Sequence, residues 1–270
     1  MTYVFKSHWF FRTTLLVLLA GLALQGCGGG SSTPNADPTG YYDVTGTATV
    51  KADDNTTDLP ISDLQGMVNG NRFTAMSAAE GLVYDGTLTI VNVDTFTANI
   101  SIYRDGSLLT TATASGTITQ GSSITGTLTG TGAGNGTFRL TYALSNNQAA
   151  ALSRVQSNVD EMWFSVIGGS LNFGFGFVVA GTGEITHRQT ADSGVFNGCV
   201  VASGTMTPVS NTNVYQATFT LSSCSNNTVD GTYTGLASTR AQSVADDRLV
   251  LVASKTAFCI HGEFTRESTI

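Results

Sequence analysis

"DTFTANISIYRDG", residues Asp94 to Gly106, alternates apolar and polar side chains with a period of two. Phe96, Ala98, Ile100 and Ile102 fall on one side; Thr95, Thr97, Asn99, Ser101 and Tyr103 fall on the other. A strand points successive side chains to opposite faces, so this stretch reads as a strand with one face in a core and one in water. Asp105-Gly106 then marks a type I′ hairpin turn, because both central residues of that turn need positive φ.

The same alternation recurs at Phe138, Leu140, Tyr142 and Leu144, at Tyr215, Ala217, Phe219 and Leu221, and at Phe258, Ile260 and Phe264. Turn signals stand at Asp85-Gly86, Gly134-Asn135-Gly136, Asn226-Asn227 and Asp230-Gly231. Short alternating strands with such punctuation predict an all-β fold of antiparallel small barrel or sandwich units. Asn147–Val155 departs from the pattern and favours a short helix. It sets a boundary, so two units are expected: 41–145 and 161–270, joined by a helical linker at 146–160. A faint repeat supports the division, with Gly116–Thr119 resembling Gly183–Thr186 and Gly126–Thr129 resembling Gly204–Thr207. A membrane-spanning barrel is the rival fold, but strand faces of Thr, Asn, Ser and Arg would meet lipid poorly.

The N-terminus carries an address. Lys6 and Arg12 precede a run of about ten apolar residues from Leu15 to Leu24, and no acid occurs before Asp37. That run fits a secretory leader and is short of the ~20 residues a spanning helix needs. Leu24-Gln25-Gly26-Cys27 resembles the lipobox of bacterial lipoproteins. The resemblance implies cleavage before Cys27, removal of residues 1–26, and acylation of the Cys27 thiol. Several acyl chains anchor far more firmly than one. Gly28 follows where an aspartate would imply inner-membrane retention, so outer-membrane anchoring is expected. Residues 27–40 hold no large apolar side chain and read as the lipidated cysteine and its flexible tether. An ordinary cleaved leader ending near Ala20 or Ala23 is the plainer alternative.

From Cys27 to Ile270 the chain has 244 residues, with 10 basic against 19 acidic side chains and a net charge of −9. Dispersed acids and two lysines, Lys51 and Lys255, argue against nucleic acid and against anionic headgroups as partners. Four stretches, "GYYDVTGTATV" (40–50), "DLQGMVNGNRFTAMS" (63–77), "GTLTGTGAGNGTF" (126–138) and the spaced set Gly198-Cys199, Asn213-Val214-Tyr215, Cys224, Gly235-Leu236-Ala237, resemble a group of Thr- and Gly-rich proteobacterial surface lipoproteins. The resemblance implies a β-barrel-like fold and carries no activity and no catalytic residues.

Beyond Cys27 three cysteines remain. If the turn between 199–208 and 214–224 centres on Asn211-Thr212, Thr205 faces Thr218 and Cys199 faces Cys224. Directly opposed residues sit within disulfide reach, so a Cys199–Cys224 bond is expected where no bulge shifts the register. Cys259 is left over, either as a buried inert thiol or, with His261 and Glu263 on the same strand face, as part of a metal set. Three alternate strand residues span about 13 Å, too far to meet one ion, and His187 is the only other histidine after Cys27.

No catalytic or cofactor-binding signature stands out. A serine could be combined with His187 or His261 and Asp192, but no Gly-x-Ser-x-Gly elbow accompanies them. Asp160-Glu161 and Asp246-Asp247 are adjacent acids that read as solvated charge, and "GTGAGNG" (130–136) reads as a turn. Phe173, Phe175 and Phe177 share one strand face and read as core, or as the wall of an apolar pocket in a small barrel. The expectation is a non-enzymatic binding or surface-interaction module of a bacterial envelope, taking an envelope protein, a polymer or a small apolar ligand. An envelope-acting hydrolase would need a histidine meeting a carboxylate in a cleft. A purely structural lipoprotein would show a barrel interior filled by its own side chains.

Overall fold

The computed structural model describes residues 34–144, 149–157, 161–166, 174–189, 194–240 and 248–268. The leader, Cys27, the start of the tether, Asp160, Phe173, Asp192 and Asp246-Asp247 lie outside the described residues.

The strand read first is present as β5 (Thr95–Arg104), and its hairpin partner is β6 (Ser107–Thr119). Asp105 and Gly106 sit at φ 48° and 82°, the left-handed values a type I′ turn requires. Around them run β1 (Gly40–Lys51), β2 (Asp58–Asn69), β3 (Arg72–Ser77), β4 (Leu82–Ile90), β7 (Ser123–Gly130) and β8 (Gly136–Tyr142). Each strand pairs antiparallel with the next, and β8 returns to β1 with Thr137 opposite Thr49. The result is a closed eight-stranded antiparallel barrel. Closure leaves no unpaired edge for another chain to extend.

The remaining eight strands lie outside that ring and, among the described residues, follow the same antiparallel chain order without a ladder between their third and fourth members. They are β9 (Glu161–Val166), β10 (Gly174–Val179), β11 (Ile185–Gln189), β12 (Val200–Pro208), β13 (Tyr215–Ser222), β14 (Gly231–Arg240), β15 (Arg248–Lys255) and β16 (Phe258–Ser268). Neighbours pair in chain order, and β16 returns to β9 through Thr265 opposite Phe164. The β11–β12 seam is the loose one, held by a bridge between Glu184 and Thr205. The tetrapeptide repeat does not map onto this symmetry. Its first copy lies on the sixth and seventh strands of one ring, its second at the third and fourth of the other.

Each ring packs its own apolar interior. Leu64, Phe73, Phe96, Ile100, Ile124 and Leu140 fill the first; Trp163, Phe177, Phe219, Tyr233, Leu251 and Phe264 fill the second. The outer wall of β5 to β8 carries exposed Thr97, Asn99, Thr113, Thr127 and Arg139. Apolar inside and polar outside is the reverse of a lipid-spanning barrel. Among the described residues no helix is long and apolar enough to cross a membrane.

A third apolar layer lies between the rings. Tyr41, Met67, Met76, Val83 and Tyr103 from the first meet Leu236, Val250, Val252 and Cys259 from the second. This layer explains why Tyr103, placed on the solvent face by alternation, is 2% exposed. It also explains β15, where Leu249 to Ala253 are all buried: odd positions face their own barrel and Val250 and Val252 face the other. Residues 35–270 accordingly cluster as one compact unit.

Three local readings are corrected. Asp85-Gly86 is no turn but the middle of β4, paired on both sides. Gly86 is needed because a Cβ there would sit 2.0 Å from the Asn99 carbonyl oxygen. Leu144 falls beyond the end of β8 and is 78% exposed. The helix between the rings is a single turn, Leu152–Val155.

The two-faced burial of β15 predicts that both of its sides matter. Leu251→Ala should cost about 2–5 kcal/mol and Val252→Ala about 1–3 kcal/mol in urea unfolding, because each empties a different packed layer. A Val252→Ala effect within about 0.5 kcal/mol, as for a solvated strand face, would contradict the layer.

Candidate functional site

The cysteine pair joins as the register suggested, by a corrected route. Thr205 opposes Thr218, but the pairing slips by one residue between Val201 and Ser203. Beyond β13, Ser223 takes a left-handed φ of 61°, and the next residue, Cys224, bonds to Cys199. The bulge and the kink offset each other. Cys259 stays a free, buried thiol in the layer between the rings. Burial raises its pKa well above the usual value, and the nearby Asp85 charge adds to that.

Cys259, His261 and Glu263 do share a face, and that face is turned towards the first barrel. Glu263 accepts from Arg240 Nη2 at 2.7 and 2.8 Å and from Gln65 Nε2 at 2.8 Å. Gln65 in turn accepts from the Tyr41 hydroxyl at 2.9 Å. An ion pair of the second ring is thus tied to β1 and β2 of the first. Among the described residues no three His, Cys, Asp or Glu side chains gather closely enough to hold a metal ion.

A matching knot is built from the first ring. Arg72 opens β3 after the turn at Gly70 (φ 58°), and Asp85 stands beside it on β4. Arg72 Nη2 donates to Asp85 Oδ2 at 2.6 Å, to the Thr234 carbonyl at 3.1 Å and to Ser254 Oγ at 3.2 Å. Ser254 donates in turn to the same Asp85 oxygen. Burial raises the Asp85 pKa, while the Arg72 guanidinium pulls it back down. Asp85 Oδ1 and Arg72 Nε have no hydrogen-bond partner among the described residues. Above this knot opens a groove of about 710 Å³ between the rings, floored by the outer faces of β4 to β7.

The interior of the first barrel offers far less room. The cavity inside the first ring, lined by Ala48, Leu64, Phe73, Tyr84 and Phe138, measures about 10 Å³, space for roughly one water. Ala133, wholly buried in the 3-10 turn Gly132–Gly134, packs into this core, and its carbonyl accepts the Tyr84 hydroxyl at 3.2 Å. In the second ring Phe177 packs against Phe264 at 5.1 Å and Phe219 stacks on Tyr233 at 5.7 Å. Trp163 donates its Nε1–H to the Val155 carbonyl at 2.7 Å, so the turn of helix holds the indole in place.

His187 and His261 sit apart from the groove. His187 Nδ1 accepts the Val201 N–H at 3.3 Å beside the β11–β12 seam. His261 is buried in β16, and burial lowers its pKa to about 4 against a partial opposing pull from Asp105. No family model, curated protein or solved structure matches the chain.

His261 gives this layer a pH dependence. Its folded pKa lies below the ordinary 6.5, so the fold favours the neutral ring. That stabilisation is complete above 6.5 and is lost as pH falls towards 4, by about 3 kcal/mol at full protonation. Asp85, with a raised pKa, works in the opposite sense, so the His261 contribution is read as a difference between variants. His261→Gln should flatten the fall in urea stability between pH 6.5 and 4 relative to the parent protein. Superimposable pH profiles would refute it.

Proposed function

We propose that the chain is a lipid-anchored, non-enzymatic binding module of a bacterial envelope, tethered at Cys27 and presenting a ligand groove between two barrels. The observation that carries this reading is the contrast in space. The interior of the first barrel has room for roughly one water, whereas the open groove beside Arg72 and Asp85 has about 710 Å³. That contrast supports a ligand site on the outer surface, at the groove beside Arg72 and Asp85. Leader, lipobox-like stretch and tether supply the anchoring half of the proposal.

A structural envelope protein is the second reading, and the packed interior is what favours it. A hydrolase has less support. The buried His261 is held neutral and stands on a face turned into protein, away from the solvent a substrate would arrive from.

The two halves are tested together in cells. Cys27→Ser should move the protein from the membrane to the soluble fraction. A photo-crosslinking amino acid at Thr113, on the groove floor, should trap one reproducible adduct that the same group at Thr207, outside the groove, does not. Membrane retention of Cys27→Ser contradicts the anchor, and identical adduct patterns at both positions contradict the groove.

A further inference from the structure

The groove floor is chemically uniform in a way its register makes explicit. Thr87 on β4 lies opposite Asn99 on β5, Asn99 opposite Thr113 on β6, and Thr113 opposite Thr129 on β7. All four are exposed and all four line the groove. Neighbouring strands are about 4.8 Å apart, so the row is a ladder of hydroxyl and amide groups at that repeat. Leu108, 41% exposed, adds an apolar side chain to the same lining.

Two properties narrow what can lie there. The charged residues lining the groove are Arg72 and Asp85, paired with each other, so the surface offers no net charge to a polyanion or polycation. The floor strands are interior members of a closed ring whose backbone groups are engaged with both neighbours, so a peptide cannot join as an added strand. What remains is side-chain recognition by groups that both donate and accept, interleaved with threonine methyls and one leucine. Hydroxyls flanked by C–H surface are the complementary chemistry, and a repeating ladder suits a repeating polymer.

We propose that this groove binds a neutral glycan chain laid across β4 to β7, its hydroxyls bonded to the Thr87–Asn99–Thr113–Thr129 row and its C–H faces against Leu108. The proposal rests on the binding-module reading and names its ligand class. The protein contains its own control. The next row on the same wall, Thr89, Thr97, Ser115 and Thr127, has similar chemistry and register but does not line the groove.

The test uses the full chain in mild detergent, screened on a neutral glycan array and titrated calorimetrically with maltohexaose, cellohexaose and chitohexaose. At least one neutral glycan should bind. Asn99→Ala/Thr113→Ala should weaken it by about tenfold or more, and Thr97→Ala/Thr127→Ala should leave it within about twofold. All four positions are exposed, so these variants should fold normally, checked by unchanged thermal melting. An empty array with no titration heat overturns the proposal, as does binding that responds equally to both pairs. If the array is empty while the Thr113 crosslinker still traps a specific protein or lipid, the glycan assignment falls and the binding module stands. If both are blank, both fall.

Discussion

Val250 and Val252 point away from the barrel to which their strand belongs and pack against Met67, Met76 and Val83 of the other. The rest of the architecture depends on that contact. A strand wall normally presents water-facing side chains on its outer side, yet β15 is buried on both sides, and β3 is buried along nearly its whole length. Removing two sheet faces from water converts two small cores into one unit with three apolar layers. The gain follows the apolar area removed from water, at about 25 cal/mol per Å². Two charged knots stand on the sheet faces that meet there. Arg72–Asp85 reaches Ser254, and Arg240–Glu263 reaches Gln65. A misregistered docking would keep each ion pair but strip it of its hydrogen bonds to Ser254, Thr234 or Gln65, leaving buried polar groups unsatisfied, which favours one arrangement.

The same contact creates the groove. Two convex barrels pressed together along one side leave a cleft where their walls diverge, and here the walls diverge over β4 to β7. With a water-sized cavity inside the first barrel, the proposed recognition falls to outward-facing side chains. The proposed function and ligand class both start from this division between a packed inside and a polar outside.

Much of the fold was legible because alternation reports burial on one face. On that signal Thr95–Arg104, 215–221 and 258–264 are marked as strands, as the structure has them. It failed wherever both faces are buried. Tyr103 seemed solvent-facing because nothing in β5 announces a second barrel. Leu249–Ala253, a continuous apolar run, carries the signal of a strand buried on both faces. Asp85-Gly86 imitated a turn because glycine serves close backbone approach as readily as reversal. The candidate site was less legible. Cys199–Cys224 followed from register, even though a bulge and a left-handed Ser223 had to cancel. Arg72, Asp85 and Ser254 could not be assembled in advance, because Ser254 lies 169 residues beyond Asp85 and their meeting depends on how the later strands dock on the closed barrel.

Native-state hydrogen exchange at β15 tests the account most directly. If the central layer binds the rings into one cooperative body, the amides of Leu249 to Ala253 exchange only by global unfolding, with the same free energy as those of β3 and β4. If β15 exchanges at a distinctly lower free energy while β3 and β4 stay protected, the barrels open independently, and a groove defined by their fixed junction is contradicted.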